Sequence, residues 1–176
     1  MSEPAYRRAA AADVGAVVLL VESAFRGEAS RAGWTTEADL LEGRRTGPDE
    51  IEGILANPDQ CLLLRVADDD SLLASVVLTR EAGHAWLGML AVRPGLQHGG
   101  VGRELLATAE AWVRQHWGLD RMRMKVIVQR GELIAWYERR GYRRTGETGP
   151  FPYGDPRFGQ PRRDDLSFVI LEKTLA

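Results

Sequence analysis

Apolar residues recur along this chain with two different spacings, which alternate from one segment to the next. Spacings of three and four residues predict helices over Ala11–Phe25 and Gly99–Trp117, and shorter ones that begin at Pro48 and at Glu132. Short apolar runs bounded by turn residues predict strands. The predicted strands are Ala5–Ala9, Cys61–Ala67, Leu72–Arg80, Trp86–Val92, Met122–Val128, Tyr142–Thr145 and Leu166–Leu175.

These elements follow the order β-α-α-β-β-β-α-β-α-β-β. The short acidic turn Asp68–Asp70 predicts antiparallel pairing of the strands on either side of it. The segment Gly146–Asp165 holds four Pro and four Gly, so we predict a long ordered loop there. No internal repeat or apolar-poor linker divides the chain. One α/β domain with a mixed sheet, covering residues 1–176, is therefore expected.

Composition narrows the possible partners. The 176 residues include 23 Lys and Arg against 25 Asp and Glu, for a net charge of −2, which disfavours non-specific nucleic-acid binding. The one cysteine, Cys61, begins an apolar run and is expected to be a small buried hydrophobe. A single cysteine excludes an intrachain disulfide framework and a multi-cysteine zinc site. No apolar stretch approaches the ~18 residues of a membrane span, and the first residues lack a signal-peptide pattern. We expect a cytoplasmic protein without membrane or metal partners.

The candidate chemistry lies in residues 89–106, MLAVRPGLQHGGVGRELL. A predicted strand ends before Pro94, and a glycine-rich loop at 97–102 opens the long helix. Such a loop lets a phosphate approach the backbone N–H groups at the positive end of the helix. A dinucleotide fingerprint would need glycine where Leu105 stands, and an NTPase phosphate loop would need Lys and Ser or Thr where Val101 and Gly102 stand. A glycine turn without any ligand is the alternative.

The pattern Gln-x-x-Gly-x-Gly at 97–102, preceded by Leu90-x-Val92-x-Pro94, resembles the acetyl-CoA signature of the GNAT N-acetyltransferase superfamily. Tyr6–Ala9 before the first helix and the later segment LIAWYERRGY at 133–142 extend the resemblance over the whole chain. The resemblance implies a single-domain GNAT-like fold. Its mixed, mostly antiparallel sheet has six to seven strands and is flanked by about four helices.

The resemblance also implies acetyl-CoA as co-substrate, with no metal. Tyr137 corresponds to the general acid that protonates the departing CoA thiolate; a phenol of reference pKa ~10 is protonated at neutral pH. A core aromatic packed one turn from Leu133 is the alternative for this residue. The strand backbone at Leu90, Ala91 and Val92 would bind the pantetheine arm. The residues implied to bind the pyrophosphate, mostly through backbone N–H groups, are Gln97, His98, Gly99, Gly100, Val101, Gly102 and Arg103.

Two positions depart from the family pattern. Arg130 stands where many relatives have an Asn in contact with the cofactor, and it could reach a phosphate or face solvent. The stretch 84–88 lacks the carboxylate that serves some members as general base. His84 is a candidate base because its unperturbed pKa is ~6.5, although a solvated turn histidine is the alternative. Further candidate bases are Glu22, Glu28 and Glu81.

The predicted function is N-acetyltransfer from acetyl-CoA to a primary amine of a small molecule, by direct attack of the amine. The alternatives are a protein or peptide N-acetyltransferase and a non-catalytic acyl-CoA-binding sensor. Segments 27–45 and 150–158 stand where the family varies its acceptor pocket. Their candidate apolar walls are Trp34, Phe151, Tyr153 and Phe158, and Arg157 or Arg162 could hold an acceptor carboxylate. A homodimer is compatible with the resemblance, with the strand Leu166–Leu175 as the candidate contact.

Overall fold

The computed structural model describes residues 5–25, 41–42, 45–96, 99–153 and 160–176. Its helices are α1 (Val14–Phe25), α2 (Pro48–Ala56), α3 (Val101–Trp117) and α4 (Gly131–Glu138), and a 3-10 turn at Ala11–Asp13 leads into α1. Its strands are β1 (Ala5–Arg8), β2 (Leu41–Glu42), β3 (Gln60–Val66), β4 (Leu72–Glu81), β5 (His84–Val92), β6 (Arg121–Ile127), β7 (Arg143–Pro150), β8 (Gln160–Pro161) and β9 (Ser167–Thr174).

Seven strands form the main sheet, in the order β1-β3-β4-β5-β6-β9-β7. Every neighbouring pair is antiparallel except β5 and β6, which run parallel. The short strands β2 and β8 pair with each other outside this sheet. The predicted mixed, mostly antiparallel sheet of six to seven strands is therefore confirmed. No helix within the described ranges combines the length and the apolar character needed to cross a bilayer.

Helices cover both faces of the sheet and enclose a core on each. On one face α3 buries Leu105, Ala109 and Val113, which belong to the apolar stripe that the sequence predicts. Cys61 faces the same core at 1% exposure, which confirms that it is a buried hydrophobe. On the opposite face, α1 and α2 pack residues such as Val17 against the sheet.

The C-terminal part of the chain corrects one prediction and limits another. The expected loop 146–165 is partly wrong, because β7 continues through Thr148–Pro150, which pairs with Ser167–Val169 of β9. A dimer contact through the last strand stays a prediction, although edge-to-edge strand pairing is excluded for it. β9 lies between β6 and β7, so neither of its edges is open to a strand of a second copy. Tyr153, a candidate pocket wall, is used locally: its hydroxyl donates to Arg163 O and accepts from Leu166 N.

The parallel pair of β5 and β6 opens a cleft in the centre of the main sheet. β5 and β6 pair at Ala85–Met122 and Trp86–Arg123, although β5 continues to Val92 and β6 to Ile127. Beyond Trp86 the two strands diverge.

A bulge in β5 lies just beyond Trp86, at Met89 and Leu90. Met89 and Leu90 together oppose Val76 of β4, and Met89 has a φ of 48°. A bulge bends its strand and changes the direction of the residues that follow. The bulge therefore lies in the part of β5 that borders the cleft.

Candidate functional site

The cleft between β5 and β6 contains an inner cavity of about 120 Å³ that reaches α3 and α4. Residues of both diverging strands form its walls, and the starts of the two helices close one end. The lining residues are Phe25, Arg45, Leu87–Leu90, Val92, Gly102, Met124–Ile127, Arg130, Leu133, Trp136, Tyr137 and Phe168.

A wider outer chamber of about 650 Å³ adjoins this cavity. The two spaces share Arg45, Leu87, Gly88 and Lys125 among their lining residues, so they meet between the strands. The chamber is also lined by Val77, which packs with α1 and α2. The cleft therefore passes through the sheet, from the α3 side to the α1 side.

The start of α3 provides backbone donors beside the inner cavity. Gly100 is the N-cap with φ of 83°, and no side chain caps the first turn. The N–H groups of that turn thus lack side-chain partners, and the positive end of the helix dipole adds to their attraction for an anion. The guanidinium of Arg103 lies beside the loop, 3.7 Å from the position of a Cβ on Gly100. Gln97 and His98 lie outside the described residues.

Gly102 has a different reason to be glycine from the one that the sequence suggests. It is buried in the first turn of α3, where a Cβ would lie 3.3 Å from Cγ2 of Val92 and 3.7 Å from the Trp136 ring. The missing side chain therefore permits close packing of α3 against β5 and α4, while binding of a phosphate by the Gly102 backbone stays a prediction.

Of the three residues proposed to bind the pantetheine arm, two line the inner cavity. Leu90 and Val92 line the inner cavity, whereas Ala91 is fully buried in the core on the α1 side. Because the β5–β6 ladder ends at Trp86, the later backbone groups of β5 that point to β6 are not used in that ladder. The cavity-lining residues Leu87, Gly88 and Met89 were missed by the sequence analysis.

Tyr137 combines a core position with access to the cavity. Its side chain is 5% exposed and packs edge-on against the Trp136 and Tyr142 rings, with centroid distances of 5.1 and 5.8 Å. The hydroxyl makes no hydrogen bond with any residue that the structure describes. Burial raises the pKa of Tyr137 well above its ordinary value, and the charge of Arg130 opposes this only in part. The phenol is therefore neutral and carries a proton throughout the neutral range.

Three cationic side chains line the cleft. Arg130, the N-cap of α4, and Arg45 each place the guanidinium carbon 5.8 Å from the ring centroid of Phe25. Lys125 lines both spaces, and its Nζ lies 5.4 Å from the centroid of the Trp86 ring. Arg130 thus faces the cavity, while its contact with a cofactor stays a prediction.

The candidate bases are distributed unevenly. His84 lines neither space: its ring contacts Trp86 edge-on at 5.3 Å, and Nε2 lies 3.2 Å from Oε2 of Glu81 without hydrogen-bond alignment. Glu81 lines the outer chamber. Glu22 accepts backbone N–H groups of Arg45 and Thr46, so it holds the chain before α2. Glu28 lies outside the described residues, among which no group of three His, Cys, Asp or Glu could hold a metal ion.

Comparisons with known proteins agree with this geometry. Residues 22–142 match the family model described as the acetyltransferase (GNAT) family. A comparison with curated proteins finds no match. Many solved structures share the fold, at sequence identities too low to show more than that.

Three of those structures serve as examples. The ribosomal-protein-S18-alanine N-acetyltransferase from Escherichia coli has a TM-score of 0.71 at 14% identity, covering 99% of this chain and 95% of that one. Mutant forms of the spermidine/spermine N-acetyltransferase SpeG from Vibrio cholerae have a TM-score of 0.67 at 12% identity, with coverages of 98% and 95%. The PaiA N-acetyltransferase from Thermoplasma acidophilum, in complex with coenzyme A, has a TM-score of 0.67 at 18% identity, with coverages of 98% and 99%.

Proposed function

Because this chain belongs to the acetyltransferase (GNAT) family, we propose that it transfers an acetyl group from acetyl-CoA to a primary amine of a small molecule. The observation that carries the proposal is the cleft through the sheet. Backbone donors at the start of α3 stand near one end, Tyr137 lines the inner cavity, and an open chamber lies at the other end. Two substrates can thus approach each other from opposite faces.

The α3 end suits the cofactor. The first-turn N–H groups around Gly100 and the guanidinium of Arg103 would bind the pyrophosphate, and Arg130 adds a positive charge beside the inner cavity. The pantetheine arm would extend along β5, where the backbone past Trp86 is not paired with β6. A coenzyme A complex is known for one structural neighbour, which supports this assignment.

The reaction proposed is a direct displacement. The amine nitrogen attacks the thioester carbonyl carbon, a C–N bond forms, the C–S bond breaks, and Tyr137 gives its proton to the departing sulfur. N–H groups of β5 that are not used in the ladder with β6 would stabilise the negative charge that develops on the carbonyl oxygen. Cys61 is buried in the core and plays no part.

The attacking amine must first lose its proton. The positive charges of Lys125 and Arg45 near the chamber disfavour an ammonium group there, so they lower the pKa of the bound amine. Glu81 is the carboxylate that lines the chamber in the described part of the chain, and it can accept the proton directly or through water. His84 contacts Glu81 from outside the chamber, and a role as the base is not supported by that position.

A coupled CoA-release assay tests the proposed function. Acetyl-CoA is offered with small primary amines, with peptides that have a free N-terminus or a lysine, and without acceptor, while acetyl-CoA binding is measured by calorimetry. Turnover on small amines supports the proposal, and turnover on peptides alone would replace it with the peptide alternative. Tight binding without turnover on any acceptor would favour the sensor. The cytoplasmic location, the homodimer and the single domain over residues 1–176 stay predictions.

The pH dependence of kcat should show that the Tyr137 phenol stays protonated. Because burial raises the pKa of Tyr137 above its ordinary value of about 10, the acid stays protonated as the pH rises from about 7 to about 10. The rate should therefore rise with pH as the acceptor amine loses its proton, and should not fall again below about pH 10. A kcat profile measured with saturating acetyl-CoA checks this. A falling limb in that range that disappears in Tyr137→Phe would mean that the phenol ionises there.

Gly88 offers a test of the acceptor chamber. It lines both spaces, a Cβ on it would meet nothing within 4 Å, and its φ is not positive, so β5 can accept Val at this position. We expect Gly88→Val to narrow the cleft and to raise the KM for the acceptor ~10-fold, more than the Kd for acetyl-CoA. Gly53→Val on α2, where the space is equally open but outside the cleft, is the matched control. Equal KM values for the two variants would contradict the chamber assignment.

A further inference from the structure

Lys125 is an exposed cation whose surroundings differ from those of the neighbouring cations. It lies on β6 beyond Arg123, the last residue paired with β5, and it lines both the inner cavity and the outer chamber. Its neighbour Arg123 pairs with Glu147 and with Glu172, and the other lysine, Lys173, pairs with Glu110 at 2.9 Å. The ammonium of Lys125 instead contacts the ring of Trp86, with no carboxylate in ion-pair range in the described part of the chain.

The charges of the chamber are separated along the sheet. Glu81 pairs in register with His84 at the turn between β4 and β5, and its side chain is 53% exposed. In the register continued from the Trp86–Arg123 pair, Lys125 lies on the other side of Trp86, opposite Gly88 and nearer to the inner cavity. The negative charge therefore lies at the turn end of the chamber, and the positive charge, on the exposed side chain of Lys125, lies nearer to the inner cavity.

This arrangement disfavours an acceptor with several ammonium groups. The ring of Trp86 already has two cations near it, since the Arg123 guanidinium carbon and Lys125 Nζ each lie 5.4 Å from its centroid. A further ammonium would compete with them for the ring and would be repelled by Lys125. An anion beside Lys125 would instead gain a charge-assisted hydrogen bond with an ammonium that has no carboxylate in ion-pair range in the described part of the chain.

We propose that the acceptor is a primary amine that also carries a carboxylate, and that Lys125 binds that carboxylate. The apolar body of such an acceptor would lie against Trp86, Phe151 and Phe168, which line the chamber. Gly88 opposite Lys125 leaves the space for the carboxylate. This assignment rests on the proposed function, and it adds the substrate class and a specificity-determining residue.

The test compares acceptors that differ only in the charged group. 5-Aminopentanoate, pentylamine and 1,5-diaminopentane have the same chain length, and phenylalanine and phenethylamine form an aromatic pair. The wild-type protein should have a kcat/KM for the carboxylate-bearing member of each set at least about tenfold higher than for the others, as expected for a charge-assisted hydrogen bond. Lys125→Met should abolish this preference by raising KM for the carboxylates alone. Lys125→Glu should reverse it in favour of the diamine.

Arg121→Met is the matched control, because Arg121 is an exposed cation on the same strand and lines neither space. It should leave the preference unchanged, and melting temperatures verify that all variants fold. Turnover without carboxylate preference, or an equal loss for all acceptors in Lys125→Met, overturns this inference and leaves the proposed function standing. If no acceptor of any kind gives CoA release above the acceptor-free rate, both proposals are overturned.

Discussion

Replacing Tyr137 with Phe is expected to lower kcat at least about tenfold, within the ~10²–10⁴-fold range of general acid–base groups once partial rescue by water is allowed for. Proton donation to sulfur matters only as the C–S bond breaks, so the affinity for acetyl-CoA should stay near that of the parent. The ring contacts with Trp136 and Tyr142 are kept in this variant. Because the lost hydroxyl has no hydrogen-bond partner among the described residues, the melting temperature should also change little.

Tyr142→Phe is the matched control in the same aromatic cluster. The Tyr142 hydroxyl donates to Oε2 of Glu110 at 2.7 Å, in a partly buried network that includes Lys173. Its loss should cost about 1.5–3 kcal/mol of stability, as for other hydrogen bonds to charged groups, and should lower the melting temperature. Since Tyr142 does not line the cleft, kcat of the folded variant should change little.

The two variants separate catalysis from packing because their expected effects are opposite. Single-turnover CoA release gives the chemical step, calorimetry gives acetyl-CoA affinity, and thermal unfolding gives stability. An unchanged kcat in Tyr137→Phe would remove this residue from the mechanism and leave water or the acceptor as the proton source. If the melting temperature of Tyr137→Phe were as low as that of Tyr142→Phe, the Tyr137 hydroxyl would have a structural role.

The sequence predicts the elements well where apolar periodicity is strong. The stripe through Leu105, Ala109 and Val113 and the glycine after Trp117 define α3 to within a few residues, because burial of that stripe drives the helix. β7 was truncated in the prediction for the opposite reason. Its residues Arg143–Pro150 are mostly exposed and have no apolar alternation, so only the backbone pairing with β9 makes them a strand.

The cleft itself could not be predicted from local pattern. β5 has the apolar run and β6 the alternating pattern of ordinary strands, and nothing in them marks Trp86 as the last paired residue or Met89 as a left-handed position. A bulge and the end of a ladder depend on the partners on both sides of a strand. The family resemblance therefore points to Tyr137 and Arg130, which line the inner cavity, but not to the opening between the strands.

Lys125 was missed although β6 carries a signal for it. Arg121, Arg123 and Lys125 alternate with buried Met122 and Met124, so the charged residues share one face of the strand. That alternation is typical of a solvated face, and only the divergence from β5 turns one member of it into a lining residue of the cleft. Gly102 is the converse case, since its motif position suggested phosphate binding and its contacts with Val92 and Trp136 indicate packing.

Replacing Gly100 with Val is expected to raise the Kd for acetyl-CoA at least tenfold, or about 1.4 kcal/mol. Gly100 caps α3 with a φ of 83°, where an L-residue is strained by about 1–2 kcal/mol. Relief of that strain would rotate the peptide groups of the first turn away from the positions in which they bind the pyrophosphate. Isothermal calorimetry with acetyl-CoA measures the change.

The same helix supplies the control at its other end. Gly118 follows α3 with a φ of 64°, and a Cβ on it would meet nothing within 4 Å, so Gly118→Val introduces similar strain far from the cleft. A Cβ on Gly100 would contact only the flexible end of Arg103, so neither variant is burdened by a clash with backbone. Both should lose comparable stability, and only Gly100→Val should lose affinity. If the two bind acetyl-CoA equally well, the pyrophosphate does not bind at the start of α3, and the cofactor must enter the cleft by another route.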